Sequence, residues 1–262
     1  MARVQRLMFL GTCRMHDPAI SLRNSEDYLV RSTPHRLHTT GQTLQFFQHI
    51  TGTAPYDPKA IHLLSDYSAL EVLERGQSRD AIVAAMGSLQ SIWPTFGAFV
   101  IEISSMREHH IDLPNEGLRL VNSLASRDQE TYAEAIIEQE QAGSSWPALP
   151  VSITVQTARE LVADMCEIKR HIARPIVWVS HQRPPSQDER YATVNAVRSK
   201  IASALKLGAE SLGDTFFDPS TLAAEMGQAE FFAKNGEDLD HLTPAAAIAL
   251  GKTYTRLACR AI

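Results

Sequence analysis

A short apolar run that stops at a glycine constrains the fold of this chain most. Residues 7–10 read Leu-Met-Phe-Leu, and Gly11 ends the run. An unbroken apolar run of this length predicts a strand that is buried on both faces of a sheet. Thr12, Cys13 and Arg14 follow at once. Because ligands of open α/β sheets bind beyond the carboxyl ends of the strands, we expect these side chains at a functional edge.

Strands and helices alternate along the rest of the chain. The predicted strands are 7–10, 61–64, 99–105, 175–181 and 215–217. The predicted helices are 38–50, 82–92, 157–172, 191–207 and a last helix that is capped by Thr243 and begins at Pro244. The alternation predicts a three-layer α/β/α domain over residues 1–262, with a central, mostly parallel, five-stranded sheet. Residues 15–37 read as a polar, irregular loop. Residues 107–150, with a helix at about 128–141, read as an insertion that packs over the rim of the sheet or against a partner.

Composition excludes several classes of function. The net charge of −5 and the pI of about 6.1 argue against a nucleic-acid-binding protein. No apolar run approaches the ~20 residues of a membrane span, and the run near the N-terminus is shorter than the ~7 residues of a signal-peptide core. We therefore expect a cytoplasmic protein. Cys13, Cys166 and Cys259 are too few and too far apart for a disulfide framework or a metal site.

A second group of reactive residues lies near the end of the chain. Asp238 precedes His241 by three residues, just before the last helix. Histidine titrates near neutrality and is suited to act as a base, and an aspartate three residues away can orient its ring. Paired with an imidazole, Cys13 would attack as the thiolate. The backbone N–H groups of Thr12 and Cys13 can help to hold an oxyanion.

Each of these residues also has a structural interpretation. A lone cysteine after a strand is more often a packing residue than a nucleophile, and an Asp-x-x-His pair is common by chance. The polar loop that carries arginines and histidines between Arg14 and His38 is either a solvated loop or a cover that meets an anionic ligand. Glu102, inside a buried apolar strand, is either a satisfied structural acid or faces an edge.

Both ends of the chain resemble the SGNH/GDSL superfamily of esterases and acyltransferases. Gly11-Thr12-Cys13 resembles the Gly-Asp-Ser nucleophile motif with cysteine in the place of serine, and Asp238 and His241 match the Asp-x-x-His motif. The first motif is similar to the Gly-Ser-Cys-Phe-Ala branch and to capsule-biosynthesis proteins that bind coenzyme A and begin with Gly-Asn-Cys. The resemblance implies an SGNH/flavodoxin-like fold and a catalytic set of Cys13, His241 and Asp238, without a metal.

The chain departs from the family at the oxyanion positions. The glycine after the second strand has no clear counterpart, since Ser65 or Asp66 stands near its place. The asparagine after the third strand is absent, and Ser104, Ser105 and Arg107 occupy that region. His181 follows the fourth predicted strand and points to the same edge, or lies in a solvated turn. The oxyanion and substrate-binding candidates are therefore Thr12, Arg14, His38, Ser104, Ser105, Arg107 and His181.

The resemblance implies an acyltransferase or esterase that acts on an O-acyl group of a small molecule or carbohydrate, in the context of polysaccharide biosynthesis. No cofactor is required, but acyl-CoA is suited as donor because thioester exchange favours a cysteine, and Arg14, Arg31 and Arg36 can meet its phosphates. The alternative is a binding or scaffold protein on a degenerate hydrolase fold. A hydrolase that uses Thr12 or Ser105 instead is a third interpretation. The sequence leaves open whether the chain forms a homo-oligomer.

Overall fold

The fold was examined in a computed structural model of the chain. The structure describes residues 5–23, 25–33, 37–54, 79–113, 118–122, 151–184 and 191–262. The strands are β1 Gln5–Leu10, β2 Tyr28–Ser32, β3 Ala98–Ile103, β4 Arg107–Leu113, β5 Leu118–Asn122, β6 Val151–Val155, β7 Ile176–Ser180, β8 Thr215–Phe217 and β9 Asp238–Leu242. The helices are α1 Cys13–Ser21, α2 Thr40–Ile50, α3 Arg79–Ile92, α4 Ala158–Ile172, α5 Ala192–Leu212, α6 Ser220–Met226, α7 Gln228–Phe231 and α8 Pro244–Ala261, with a 3₁₀ turn at Trp93–Thr95 and a short helical turn at Ala233–Gly236.

The central sheet has five strands in the order β2-β1-β3-β7-β8. Every neighbouring pair in this sheet is parallel, and β1 pairs with β3 in the register Leu7 to Ala98. The strand order reverses beside β1, as it does in doubly wound folds of the flavodoxin type. The predicted three-layer fold and its five-stranded sheet are therefore confirmed.

The two faces of β1 enter two separate cores. Met8 and Leu10 pack in one cluster with the helices α2, α4 and α5, whereas Leu7 and Phe9 pack in the other with α1 and α8. All four side chains are fully buried. Because successive side chains of a strand point to opposite faces, an unbroken apolar run is what a strand between two helical layers requires.

One prediction near the N-terminus was wrong. Residues 15–37, predicted as an irregular loop, contain most of helix α1 and the whole of strand β2. Pro18 lies inside α1 and is buried together with Met15 and Ala19, so a proline that suggests a break is packed against α8 instead. The second strand of the sheet is thus Tyr28–Ser32, and the predicted strand 61–64 lies outside the described residues.

The other predicted elements that fall within the described residues agree with the structure to within five residues. Thr157 and Glu160 form a capping box at the start of α4, as predicted. Thr243 caps α8, and Pro244 occupies its first position. Helix α5 extends to Leu212, five residues beyond its predicted end.

The region predicted as an insertion contributes a second sheet. Strand β4 pairs with both β5 and β6 in antiparallel fashion. The side chain of Gln45 on α2 exchanges hydrogen bonds with the backbone of Val121 on β5, so this sheet packs beside α2. The predicted helix 128–141 and the loop around Trp146 lie outside the described residues. Among the helices that the structure describes, none has the length and apolar character needed to cross a bilayer.

Candidate active site

The turn between β1 and α1 carries the predicted nucleophile. Gly11 has φ +146°, and a Cβ atom there would lie 2.7 Å from side-chain carbons of Glu102 and Met15. A glycine is therefore required where the chain crosses the end of β3. Thr12 caps α1 by accepting the N–H of Arg14 with its hydroxyl. Cys13 is the first residue of α1 and is partly exposed.

Glu102 lies directly beneath this turn. Its Oε2 accepts the backbone N–H of Thr12 at 3.0 Å and the Thr12 hydroxyl at 2.6 Å. Its Oε1 lies 2.9 Å from Nδ1 of His181. Burial alone would raise the pKa of Glu102, but the contacts with His181, the charge of Arg14 and the Thr12 hydroxyl outweigh burial and lower it well below the ordinary value. Glu102 is therefore an ionised carboxylate in a central strand.

Arg14 supplies the opposite charge. Its Nη1 lies against both ring nitrogens of His181, and its Nη2 donates to the carbonyl of Leu239 at 2.6 Å. Burial and the neighbouring guanidinium lower the pKa of His181, so the ring is neutral. A neutral ring that donates from Nδ1 to Glu102 must accept from Arg14 at Nε2. Glu102, His181 and Arg14 thus form a buried chain of hydrogen bonds with no net charge.

The predicted acid–base pair lies on β9. Nδ1 of His241 is 3.0 Å from Oδ1 and 3.1 Å from Oδ2 of Asp238. The imidazole is 61% exposed and the carboxylate 18% exposed, so the ring faces solvent while the aspartate is partly covered. Backbone bridges of Phe232 with Leu242 and of Ala233 with Asp238 hold the two ends of β9. The spacing of three residues therefore gives the pairing that the motif predicted.

The carbonyl of Leu239, which Arg14 binds, lies between Asp238 and His241 on β9. The start of α1, with Cys13, and the segment with His241 are consequently in contact at one edge of the sheet.

Three other predicted site residues come together beside the turn. The carbonyl of His38 accepts the N–H groups of Ser104 and Ser105, and Nδ1 of His38 lies 2.9 Å from the Ser104 hydroxyl. Leu37 donates its N–H to the carbonyl of Gly11, which places this group next to the turn after β1. Arg107 begins β4 and is exposed.

Several assignments to substrate are not supported by these contacts. Both donors of Thr12 point to Glu102, so its amide is not directed at a substrate oxyanion. Arg14 and His181 are each 5% exposed and bind one another, which excludes the phosphate-binding role predicted for Arg14. Arg31 is exposed on β2, and Arg36 lies outside the described residues, as do Ser65 and Asp66.

Glu102 also lies at this edge of the sheet, and the sequence left its role open. Its position in an apolar run was the available signal, and the structure selects the interpretation of a satisfied buried acid. The partners that satisfy it are 90 residues before it and 79 residues after it in the chain. No local pattern relates these residues.

A second buried carboxylate lies beyond Ser105, on β4. Oε1 of Glu108 accepts the N–H of Gly41 at 3.2 Å, at the start of α2. Burial raises the pKa of Glu108 to about 7, and the negative charge of Asp164 adds to this, against the hydrogen bonds from Thr39 and Gly41. Asp164 itself accepts from Thr40 and is partly buried, and this burial raises its pKa. This cluster joins the antiparallel sheet to α2 and α4.

Comparisons with known proteins place the chain in a family. No curated protein sequence matches it. Solved structures that are similar include a GDSL-like lipase from Bacteroides thetaiotaomicron VPI-5482, with 9% identity, 100% of this chain and 91% of that chain covered, and a TM-score of 0.45. A carbohydrate acetylesterase from Sinorhizobium meliloti has 9% identity, coverage of 98% and 100%, and a TM-score of 0.43. A catalytic mutant of an acetylxylan esterase from Geobacillus stearothermophilus has 9% identity, coverage of 98% and 95%, and a TM-score of 0.42. The family model of the TviD N-terminal domain matches residues 5–256, and the chain therefore belongs to the TviD N-terminal domain family.

Proposed function

We propose that this protein is an enzyme that transfers or hydrolyses an O-acyl group of a small molecule or carbohydrate. Cys13 is the nucleophile, His241 the base, and Asp238 the residue that orients the imidazole. The observation that carries the proposal is the hydrogen bond from Arg14, the neighbour of Cys13, to the carbonyl of Leu239 between Asp238 and His241. It supports a common edge for residues that lie at opposite ends of the chain.

The proposed reaction has two steps. The Cys13 thiolate attacks the acyl carbonyl, a C–S bond forms, and the leaving oxygen or sulfur takes the proton of the His241 imidazolium. An acceptor hydroxyl, or water in hydrolysis, then gives its proton to His241 and attacks the thioester, which releases Cys13. Splitting acyl transfer into two displacements is what a covalent nucleophile contributes.

The position of Cys13 suits this role better than the positions of the other cysteines. Cys13 is the first residue of α1, where the helix dipole favours an anion. Cys259 lies near the end of α8, and burial raises the pKa of its thiol. All three cysteines are partly exposed, so exposure alone does not distinguish them.

The oxyanion of the proposed reaction needs donors other than Thr12. The amide of Cys13 lies at the first position of α1, and Ser104 lies at the end of β3 with its hydroxyl beside His38. We assign oxyanion stabilisation to the Cys13 amide and the Ser104 hydroxyl. Removal of one such donor costs about 10²–10³-fold in rate in other acyl-transfer enzymes.

An acyl-CoA thioester is the proposed donor, and a polysaccharide hydroxyl is the proposed acceptor. The chemistry supports a thioester because its exchange with a thiolate is nearly balanced in energy, whereas thiolate attack on an ester is uphill. With Arg14 buried, the exposed Arg31 on β2 is the described arginine from the predicted phosphate-binding set that remains accessible. The reaction as written requires no further cofactor.

A non-catalytic binding function is the second candidate. It is favoured by the engagement of the Thr12 amide with Glu102 and by the absence of asparagine after β3. In that case this edge of the sheet would bind an acyl-CoA or an acylated sugar without reaction.

Intact mass spectrometry after incubation with acetyl-CoA distinguishes the two candidates. Catalysis predicts a single acetyl adduct that is absent in Cys13→Ala and retained in Cys166→Ala and Cys259→Ala, the matched controls of similar exposure. The adduct should form more slowly in His241→Ala. Binding alone predicts no adduct but a higher melting temperature with CoA. Neither an adduct nor a shift with acetyl-CoA or with an acetylated aryl ester would refute the proposed function.

A further inference from the structure

Arg14 lies next to the proposed nucleophile, and its guanidinium group is buried and hydrogen-bonded, which is unusual for an arginine. Its side chain is 5% exposed, its Nη1 contacts the ring of His181, and its Nη2 donates to the Leu239 carbonyl. A guanidinium presents donors in a fixed planar fork, so one arginine can bind two acceptors at set positions. The Arg14 guanidinium, which belongs to α1, thus reaches the backbone of β9.

The segment that Arg14 holds packs against the core through Leu239 and Leu242, but its polar side chains face solvent. The His241 side chain is 61% exposed, and Lys234 near Asp238 is 76% exposed. Strand β9 joins the described structure through single backbone bridges at its two ends rather than through a sheet. The partly buried hydrogen bond from Arg14 to the carbonyl of Leu239, the second residue of β9, therefore restricts how far the segment can move from α1.

One carboxylate fixes both halves of this arrangement. Glu102 holds the backbone and hydroxyl of Thr12, the residue before Cys13. The same carboxylate orients the neutral ring of His181, which in turn accepts from Arg14. The Glu102 carboxylate therefore positions the turn that carries Cys13. Through His181, it also positions the Arg14 side chain that contacts β9.

We propose that Arg14 is a positioning residue that sets the separation between the Cys13 thiol and the His241 imidazole through its hydrogen bond to Leu239. This inference rests on the proposed function, because the separation matters only if the two groups act together. A merely structural role would instead confine the effect of Arg14 to stability.

The test is the pH dependence of Cys13 alkylation by iodoacetamide in the wild type and three variants. Alkylation follows the thiolate fraction, and a thiolate paired with an imidazolium persists to lower pH than an unpaired one. We expect His241→Ala to raise the midpoint of the profile by about 1 pH unit or more. Arg14→Lys keeps the charge that faces Glu102 but cannot reproduce the fork, and it should move the midpoint most of the way to that of His241→Ala.

Arg183→Lys is the matched control. Arg183 is also partly buried at this edge and also binds through both terminal nitrogens, to Ser199 and Asp218. None of the described contacts of Arg183 is with β9. We expect Arg183→Lys to lower the melting temperature while the alkylation midpoint stays at the wild-type value.

Each outcome decides something. A midpoint that is equal in the wild type and His241→Ala refutes the proposed thiol–imidazole pair and the inference with it. A difference between those two, with Arg14→Lys at the wild-type midpoint, overturns the inference alone. If Arg14→Lys does not fold, His181→Phe takes its place, because a phenyl ring has no acceptor for the Arg14 guanidinium, and an unchanged midpoint in that variant overturns the inference equally.

Discussion

Replacement of Glu102 by glutamine tests the buried charge network most directly, because the change preserves shape and removes only the charge. The carboxylate accepts hydrogen bonds at both oxygens, from Thr12 at one and from His181 at the other. A glutamine has one oxygen and one NH₂ group. If the NH₂ faces Thr12, it meets a backbone N–H. If it faces His181, the ring must accept at Nδ1 and carry its proton at Nε2, opposite the N–H groups of Arg14.

Every arrangement of Glu102→Gln therefore leaves a buried contact between two donors, and Arg14 loses its buried counter-charge. Loss of one partner of a buried ion pair costs about 3–5 kcal/mol, which includes the unsatisfied donor. We expect a loss of about 4 kcal/mol from the free energy of unfolding. That is a large part of the 5–15 kcal/mol typical of a folded domain.

Urea unfolding at pH 7 measures this loss, with an unchanged m-value as the sign that the native state is still compact. Glu210→Gln is the control, because Glu210 pairs with Lys206 at 3.9 Å on the surface of α5 and is 63% exposed; we expect a change within about 0.5 kcal/mol. The pKa of Glu102 is lowered in the folded state, so its contribution is present above the ordinary value of 4.5 and is lost as the pH falls towards the folded pKa. The gap between Glu102→Gln and the wild type should therefore be constant from pH 6 to 8. A loss below about 1 kcal/mol would contradict an ionised Glu102.

Three further predictions concern the same edge of the molecule. Gly11→Ala should cost about 3 kcal/mol in urea unfolding, because its methyl would lie 2.7 Å from two side-chain carbons at φ +146°, whereas Gly87→Ala, which has open space, should not destabilise the protein. Glu108→Gln should gain about 2 kcal/mol relative to the wild type between pH 5 and pH 8. Burial raises the pKa of Glu108 to about 7, so the folded wild type holds a proton at pH 5 and loses that stabilisation as the pH rises through 7; a flat difference across this range would refute the assignment. Asp238→Asn should lower the rate of acyl transfer on the order of 10²-fold, since the 3.0 Å contact with His241 orients the base, with the melting temperature within a few degrees of the wild type; an unchanged rate would remove Asp238 from the site.

Much of the fold could be predicted because its signals are local. Strands β1, β3 and β7 lie between two layers of helices, and such strands have to be apolar at every position. The caps at Thr157 and Thr243 depend on residues three positions apart, which a sequence displays directly. The pairing of Asp238 with His241 has the same origin.

The errors fall where the structure depends on distant contacts. Helix α1 contains a proline and a buried arginine, and both are tolerated because α8 and the Glu102 network accept them. Strand β2 has one fully buried residue, Val30, since it lies at the edge of the sheet and is covered on one side. Neither segment shows the apolar periodicity that predicts an element, because the partners that stabilise it are remote in sequence.

The roles of the polar residues show the same contrast between local sequence signals and contacts with distant residues. Arg14 and His181 were assigned to substrate because they follow strands at the functional edge, and that position was correct. Their orientation depends on Glu102, which lies at the centre of the sheet and turns both side chains inward. A buried charge in a strand thus converts residues that would otherwise face solvent into structural partners.

The buried charge of Glu102 also restricts which residue types can occupy position 12. The SGNH/GDSL motif that this turn resembles has aspartate at this position, and the similar Gly-Asn-Cys motif has asparagine. Here the side-chain hydroxyl at position 12 lies 2.6 Å from an oxygen of Glu102 and donates a hydrogen bond to it. An aspartate would place a second carboxylate against the first in a buried site, where like charges repel strongly and one of the two would have to be neutralised. A hydroxyl or an amide can donate instead. Threonine before Cys13 is therefore the complement of glutamate at position 102, and Thr12→Asp should be tolerated only together with Glu102→Gln.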